Sequence, residues 1–303
     1  MRQKSVLAYM KRRWFLYSLL LIPLIHYGIF QYVPMYGVNI AFKAYNIFAG
    51  VSKSPWVGFA NFLEIFRMKN FSLALRNTLT LNILDLVFGF PSPIILAILL
   101  NELRAVKFKK IAQTLLYLPH FLSWVIIGGM VLQIFAPTTG VVNAVLIRMG
   151  GKSLPFLTDK WYWLFTYTGI GIWQSAGWGT IIYLAAITGI NEELYEAAEV
   201  DGAGRLRKIW HITLPGIRPT IVILLILNVG RMINIGFDRP YVIGNVLVRD
   251  FSEVLSTFVY RIGIQSMRFS IATAAGVFQS VVGLVLLLIT NAIAKRLGEQ
   301  GVW

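Results

Sequence analysis

Six long apolar segments constrain this chain more than any other feature of its sequence. They cover residues 14–33, 78–100, 111–136, 161–190, 220–237 and 271–294. A helix needs about 20 mostly apolar residues to cross the hydrocarbon core of a bilayer, and each segment has that length or nearly so. The segments are continuous rather than alternating, which indicates helices and argues against a spanning barrel. We therefore predict an all-α polytopic membrane protein with six transmembrane helices.

The composition agrees with a lipid environment. Hydrophobic residues make up 57% and charged residues 14% of the sequence, and the mean hydropathy is +0.67. Soluble domains average about 45–50% apolar and about 25% charged residues. The first apolar segment is longer than the roughly 7–15 apolar residues of a signal peptide, and no small-residue cleavage site follows it. We expect it to remain as a helix, and we treat residues 14–303 as a single transmembrane domain.

Lysine and arginine are unevenly distributed between the two sides of such a bundle. An even number of spans puts both termini on one side, together with the loops 101–110 and 191–219. That side carries 15 basic residues, against 12 in the longer opposite loops, and three of them stand directly before the first span at positions 11–13. By the positive-inside rule, both termini and both of these loops are cytoplasmic. Residues 1–13 are predicted to lie along the cytoplasmic interface as an amphipathic segment.

Composition and residue spacing also argue against several functional classes. The net charge of +15 comes from cations at span ends and in loops, where topology and anionic headgroups account for them, so we expect no nucleic-acid partner. The chain has no cysteine and only three scattered histidines, so we expect no metal site. The GGKS sequence at Gly150–Ser153 lacks the first glycine of a phosphate-binding loop, because Leu146 stands there. We therefore expect no ATP and no catalytic residue on this chain.

The loop over residues 191–220 is the most polar stretch between the apolar segments, with five of the 13 acidic residues. Asn191 is a good helix N-cap, and the two glutamates that follow it suit the positive end of a helix dipole. Apolar residues recur at helical spacing from Leu194 onward. These features predict a short helix with a small apolar face, ended by Gly202 and Gly204.

A second short helix fits Arg205–Thr213, where apolar residues again recur at helical spacing. Pro215 is predicted to stop this helix, and Pro219 to open the fifth span. Alanines on the first helix and carboxylates at its rim favour docking into a groove of another protein. An amphipathic loop lying on lipid headgroups is the alternative, and periodicity alone does not decide between the two.

The spacing within this loop resembles a family motif. The triplet Glu196–Ala198 (EAA) is followed by three residues and Gly202, then by nine residues, Ile212, one residue and Leu214-Pro215. This pattern resembles the EAA loop of bacterial ABC importer permeases, and it stands after the fourth of six spans as in that family. A second stretch, FQYVPMYGVNIAFKAYNIFAG followed by PWVGFANF, resembles permeases that import complex carbohydrates, among them lipo-oligosaccharide, aldouronate and alginate systems.

The resemblance implies a type I ABC importer permease fold in the bacterial inner membrane, with a saccharide translocated by alternating access. It implies as partners a second, related permease subunit, two ATPase subunits that bind ATP and Mg²⁺, and an extracytoplasmic solute-binding protein. The first helix of the loop would then dock on the ATPase. The coupling residues implied by the motif are Glu196, Ala197, Ala198, Asp201, Gly202 and Arg205.

Polar residues inside the spans are candidates for the substrate path. An aspartate in the second span and an arginine in the fifth each cost roughly 2.5–3.5 kcal/mol at a helix centre on insertion scales. The presence of each charge in a span therefore needs an explanation. Three polar residues of the fifth span are predicted to share one helix face, and an amide between two tryptophans in the fourth suits a sugar ring. Structural roles in helix packing compete with this interpretation. The candidates are Asp85, Trp173, Gln174, Trp178, Asn228, Arg231 and Asn234.

The arginine in the fifth span, together with the basic total, favours an acidic saccharide such as an alginate or uronate oligomer. Two alternatives stay open, a permease for a non-carbohydrate solute and an ATP-independent secondary transporter. The second would normally show a repeated half and discontinuous spans at matching positions in both halves, and we find neither.

Overall fold

The computed structural model describes residues 12–296 and 298. Over these residues the chain is helical, and the only extended pairing is an isolated β-bridge between Lys43 and Trp56. The all-α prediction is confirmed. The predicted amphipathic segment, residues 1–13, lies outside the described residues except for its last two positions.

Five helices among the described residues are long and apolar enough to cross a membrane. They are Trp14–Phe42, Lys69–Asn101, Lys160–Thr188, Arg205–Gly230 and Phe269–Arg296. Shorter helices include Ala60–Arg67, Val141–Arg148, Glu192–Val200, Asp238–Ile243 and Leu255–Tyr260.

The third apolar segment, predicted as one span, consists of two helices. Val106–Phe121 and Trp124–Phe135 meet at a bend of 102°, and together they make a sixth span if the pair crosses the bilayer as a unit. Pro119 cannot donate a backbone hydrogen bond, and the turn that contains it tightens into a 3-10 helix. Ser123 then adopts an extended conformation, and its hydroxyl caps the next helix.

Three of the spanning helices contain a π-helical turn that ends two residues before a proline. In each case the residue before the proline donates its N–H five residues back, which widens the turn. Because the wide turn relieves the clash between the proline ring and the preceding turn, the helix continues past the proline. The turns are Gly28–Tyr32 before Pro34, Asp85–Gly89 before Pro91, and Ile209–Thr213 before Pro215.

The fifth span therefore differs from its predicted bounds at both ends. The prediction that Pro215 stops the helix is wrong, because the π turn carries it from Arg205 without a break. The helix ends at Gly230, which packs so closely on Leu287 that an added Cβ would lie 2.5 Å from that side chain. Beyond it the backbone closes tighter turns, in which the Arg231 N–H bonds the Asn228 carbonyl at 3.0 Å.

The described residues divide into two compact units. The first takes in residues up to Arg67 together with Val259–Val277, and the second takes in Met68–Phe258 and the residues from Phe278 onward. In the first unit the Asn61 amide donates to the carbonyls of Ala41 and Lys43, which ties the helix Ala60–Arg67 to the preceding loop.

The core of the second unit includes two apolar clusters at opposite ends of the helix Lys160–Thr188. One cluster surrounds Trp163 and Tyr167, and the other surrounds Tyr183. All three aromatic side chains are fully buried. Between the clusters this helix carries small residues, including Gly171 and Gly179, which leave room for the polar groups described below.

Candidate functional site

The short helix Glu192–Val200 begins as its sequence predicts. The Asn191 side chain accepts a hydrogen bond from the Glu193 N–H at 3.1 Å, and the first turn carries Glu192 and Glu193 at the positive end of the helix dipole. This local cap fixes where the chain leaves the preceding span.

The helix ends in a glycine-dependent C-cap. Gly202 has a φ of +72°, in the left-handed region that side chains disfavour. The Ala203 N–H bonds the Ala198 carbonyl at 2.8 Å, and the Gly202 N–H bonds the Glu199 carbonyl at 3.0 Å. This pair of bonds is the Schellman motif, which satisfies carbonyls at the helix end and reverses the chain. The predicted glycine bend at this position is confirmed.

The bent pair of helices exposes apolar side chains. No residue of Glu192–Val200 is buried, and Val200, Leu206 and Trp210 are 89%, 74% and 68% exposed. Exposed apolar residues grouped within a polar rim are typical of docking surfaces. Of the predicted coupling residues, Ala198 is half-buried and the others are exposed, namely Glu196, Ala197, Asp201, Gly202 and Arg205.

Two side-chain bonds attach the helix Glu192–Val200 to the helix Arg205–Gly230. The Tyr195 and Thr213 hydroxyls share a hydrogen bond of 2.9 Å, and Thr213 is buried in the π turn. Lys208 forms an ion pair with Glu199 at 2.7 Å, and its hydrogen bond and charge lower the pKa of that carboxyl. Because the pKa is lowered, the pair persists while pH falls through the range in which an ordinary glutamate is protonated. It is lost only when pH falls through the lowered pKa of Glu199.

A second polar site surrounds a partly buried ion pair between the second span and a short helix that follows the fifth. Asp85 stands on the π turn of the second span, and Arg239 stands on the helix Asp238–Ile243. The guanidinium donates from Nη1 to Asp85 Oδ2 at 2.8 Å and from Nη2 to Asp85 Oδ1 at 3.2 Å. This two-pronged geometry gives Asp85 the partner that a carboxylate in a span requires.

The guanidinium of Arg239 is enclosed by the helix Lys160–Thr188. Its Nη2 also donates to the Tyr167 carbonyl at 2.6 Å, and its Cζ lies 3.7 Å from the centre of the Tyr167 ring. An added Cβ at Gly171 would lie 2.3 Å from the same group, so the glycine leaves the space that the guanidinium occupies. The Arg239 side chain is 12% exposed, and that of Asp85 is 30% exposed.

Two cavities of about 340 Å³ each adjoin this ion pair. Asp85, Asn228 and Arg239 line both of them. The first cavity continues along Gly171, Ser175 and Gly179 of the fourth span. The second continues toward the end of the fifth span, where its lining includes Arg231, Asn234 and Trp124.

The structure brings four of the seven predicted path residues together. Asp85, Asn228, Arg231 and Asn234 line the second cavity. Asn228, Arg231 and Asn234 do not form the predicted stripe on one helix, because the helix ends at Gly230 and the latter two residues lie beyond it.

The three path candidates of the fourth span, Trp173, Gln174 and Trp178, are not among the described residues that line either cavity. Trp178 instead stacks on His120 at the break of the third segment, with ring centres 4.6 Å apart. Trp173 is 47% exposed.

Sequence reasoning missed Arg239. The signal was present, because an aspartate in an apolar span requires a cation, but the partner lies 154 positions away in a segment without periodicity. No group of three or more metal-binding side chains occurs in the part of the chain that the structure describes.

Comparisons with known proteins agree with this architecture. The family described as binding-protein-dependent transport system inner membrane component matches residues 67–299. Among curated proteins, the chain is 44% identical over 302 residues to the polygalacturonan/rhamnogalacturonan transport system permease protein YteP of Bacillus subtilis (strain 168), covering 100% of this chain and 94% of that protein. It is 45% identical over 299 residues to protein LplB of the same organism, covering 99% and 94%.

Two solved structures are similar over nearly the whole chain. A bacterial ABC transporter involved in the import of the acidic polysaccharide alginate matches with a TM-score of 0.89 and 42% identity, covering 97% of this chain and 99% of that one. The bacterial alginate ABC transporter in complex with alginate pentasaccharide-bound periplasmic protein matches with a TM-score of 0.90 and 42% identity, covering 99% and 100%.

Proposed function

The chain belongs to the family of binding-protein-dependent transport system inner membrane components, and from this premise we propose that it is the permease subunit of an ATP-driven importer of an acidic oligo- or polysaccharide. As a family member it is a multi-pass component of the inner membrane and a transport subunit, not an enzyme. The proposed substrate class is supported by the relatives, whose names and titles state polygalacturonan, rhamnogalacturonan and alginate.

The proposed assembly contains a second, related permease subunit, two ATPase subunits that carry ATP and Mg²⁺, and an extracytoplasmic solute-binding protein. The similar alginate transporter was solved with a saccharide-bound periplasmic protein, which supports delivery by such a protein here.

The bent helix pair near residue 200 is proposed as the cytoplasmic surface that docks on the ATPase. The observation that carries the proposal is its combination of exposed apolar side chains with firm attachment to a spanning helix. Reversing a conformational equilibrium from 1:99 to 99:1 takes about 5.5 kcal/mol, which a loosely held loop would not transmit. The proposed coupling residues remain Glu196, Ala197, Ala198, Asp201, Gly202 and Arg205.

The two cavities beside Asp85 and Arg239 are proposed as part of the substrate path. Asn228, Arg231 and Asn234 supply further amides and a cation to saccharide hydroxyls and carboxylates. Each cavity, at about 340 Å³, is within the range of about 300–1,000 Å³ that ligand pockets span.

Cross-linking tests the docking proposal directly. The chain has no cysteine, so Ala198→Cys introduces a single thiol into this subunit of the complete transporter. We expect a short thiol-to-amine cross-linker to capture the ATPase subunit. Met149→Cys, at a position that is 79% exposed and is predicted to lie on the opposite side of the membrane, is the matched control and should capture none. Equal capture at both positions, or none at position 198, would contradict the proposal.

A further inference from the structure

We propose that the guanidinium of Arg239 recognises the carboxylate of an acidic saccharide. As the saccharide passes, its carboxylate replaces that of Asp85 as the partner of the guanidinium. The inference rests on the proposed function, import of an acidic saccharide, and it names the residue that selects for the negative charge.

The position of the ion pair is the first argument. Two cavities of about 340 Å³ each are lined in common by Asp85, Asn228 and Arg239. The pair therefore borders both cavities, and a solute that moves from one to the other along this shared lining passes it.

The geometry of the pair is the second argument. Arginine offers two parallel N–H groups that match the two oxygens of a carboxylate, and here both prongs are engaged at 2.8 and 3.2 Å. A uronate carboxylate has the same planar group with two oxygens. It can take the place of Asp85 without leaving the guanidinium unpaired. The Asp85 carboxylate that is released then shares a cavity with a second cation, Arg231.

The two partners are not held equally firmly. Arg239 is fixed by the Tyr167 carbonyl, by the Tyr167 ring and by close packing against Gly171. The Asp85 side chain is more exposed than that of Arg239, at 30% against 12%. The cation is therefore the fixed element of the site, and the Asp85 carboxylate is the exchangeable one.

Unused hydrogen-bonding groups support a ligand at this position. Arg239 Nε and Tyr167 Oη are buried and have no hydrogen-bond partner among the described residues. Buried polar groups without partners are rare in proteins and cost free energy. A saccharide at this position would supply oxygens to the guanidinium, whose hydrogen-bonding capacity the pair with Asp85 does not exhaust.

An ion pair that only holds helices together is the competing explanation, and kinetics separate the two. The complete transporter, with its partner subunits and binding protein, is reconstituted in proteoliposomes. Uptake of uronate oligosaccharides prepared from polygalacturonan and from alginate is measured for the wild type, Asp85→Asn, Arg239→Gln and the double variant. The amount of assembled complex is measured in parallel, and Arg231→Gln serves as a control for a cation in the same cavity.

Recognition predicts opposite effects of the two single substitutions. Arg239→Gln should raise the KM for uronate oligosaccharides at least about tenfold, the loss expected for one charge-assisted hydrogen bond. Asp85→Asn removes the competing carboxylate and should lower that KM. The double variant should behave like Arg239→Gln while assembling normally, and Arg231→Gln should change the KM less.

A structural role predicts a different pattern. Both single variants would lose assembly or uptake in parallel because each leaves one partly buried charge unpaired, and the double variant would recover because it leaves none. That result, or a larger KM effect for Arg231→Gln than for Arg239→Gln, would overturn this inference alone. Failure of the wild-type transporter to import any uronate oligosaccharide would overturn the proposed function as well.

Discussion

At the scale of single residues, Gly202 has the most demanding backbone in the docking surface. Its φ is +72°, and an added Cβ would have no atom within 4 Å, so a substitution there acts through the backbone and not through a clash. The left-handed conformation costs roughly 1–2 kcal/mol for residues with a side chain, and asparagine tolerates it best. We expect Gly202→Val to lower the saccharide transported per ATP hydrolysed by about tenfold, with Gly202→Asn intermediate.

The neighbouring glycine provides the matched control for this prediction. Gly204 has a φ of −69° and likewise has open space around an added Cβ. Gly204→Ala should therefore leave the coupling ratio close to that of the wild type. Equal ratios for Gly202→Val and the wild type, at equal amounts of assembled transporter, would show that the bend does not transmit force.

Single residues could be predicted from the sequence where their role depends on near neighbours. Asn191 and Gly202 carry signals within a few positions of the helix ends that they form, and both predictions are confirmed. Asp85 could be identified as an unusual residue, but its partner could not. Arg239 lies in a short helix that follows an irregular segment, and no local pattern predicts which cation reaches the second span.

At the scale of helices, the hydrogen bond between Tyr195 and Thr213 links the docking helix to a π turn of the fifth span. Removing one hydroxyl by Tyr195→Phe leaves the other one buried without this partner, at a cost of about 1–3 kcal/mol. We expect the saccharide transported per ATP hydrolysed to fall at least about fivefold, because movement of the docking helix is then transmitted less faithfully. Parallel assays of uptake and hydrolysis in proteoliposomes measure this ratio.

Substitution of the second hydroxyl distinguishes hydrogen bonding from packing. Thr213→Ser keeps the hydroxyl and should preserve the ratio, whereas Thr213→Val keeps the shape and should lower it as Tyr195→Phe does. If Thr213→Ser and Thr213→Val behaved alike, the bond would have no role in coupling.

Helix periodicity predicted which segments are helical better than where they end. Apolar length identified the long helices, because burial in lipid imposes a uniform requirement on all of them. Proline was the source of error in the fifth span, since Pro215 was expected to end a helix that a π turn carries past it. Whether a proline breaks a helix or is accommodated depends on packing against other helices, and a single segment does not contain that information.

At the scale of the whole molecule, the cavities were beyond reach of the sequence. The first cavity arises where small residues of the fourth span lie between two apolar clusters, and the Asp85–Arg239 pair borders both cavities. In the sequence, the same small residues are equally consistent with close helix packing and with a cavity. Only the assembled bundle shows that Gly171 admits a guanidinium while Gly179 packs against Pro93.

The path of the bent third segment and the orientation of the chain can be decided by one labelling experiment. Single cysteines replace three exposed residues of the cysteine-free chain, Lys107, Lys152 and Val200. Intact spheroplasts that contain the assembled transporter are treated with a membrane-impermeant maleimide. Six spans with cytoplasmic termini predict labelling at position 152 only, with positions 107 and 200 reacting after permeabilisation.

If the pair Val106–Phe121 and Trp124–Phe135 entered and left on one side, positions 107 and 152 would label together, opposite to position 200. Labelling at positions 107 and 200 but not 152 would instead reverse the orientation and remove the docking surface from the cytoplasm, where ATP is available.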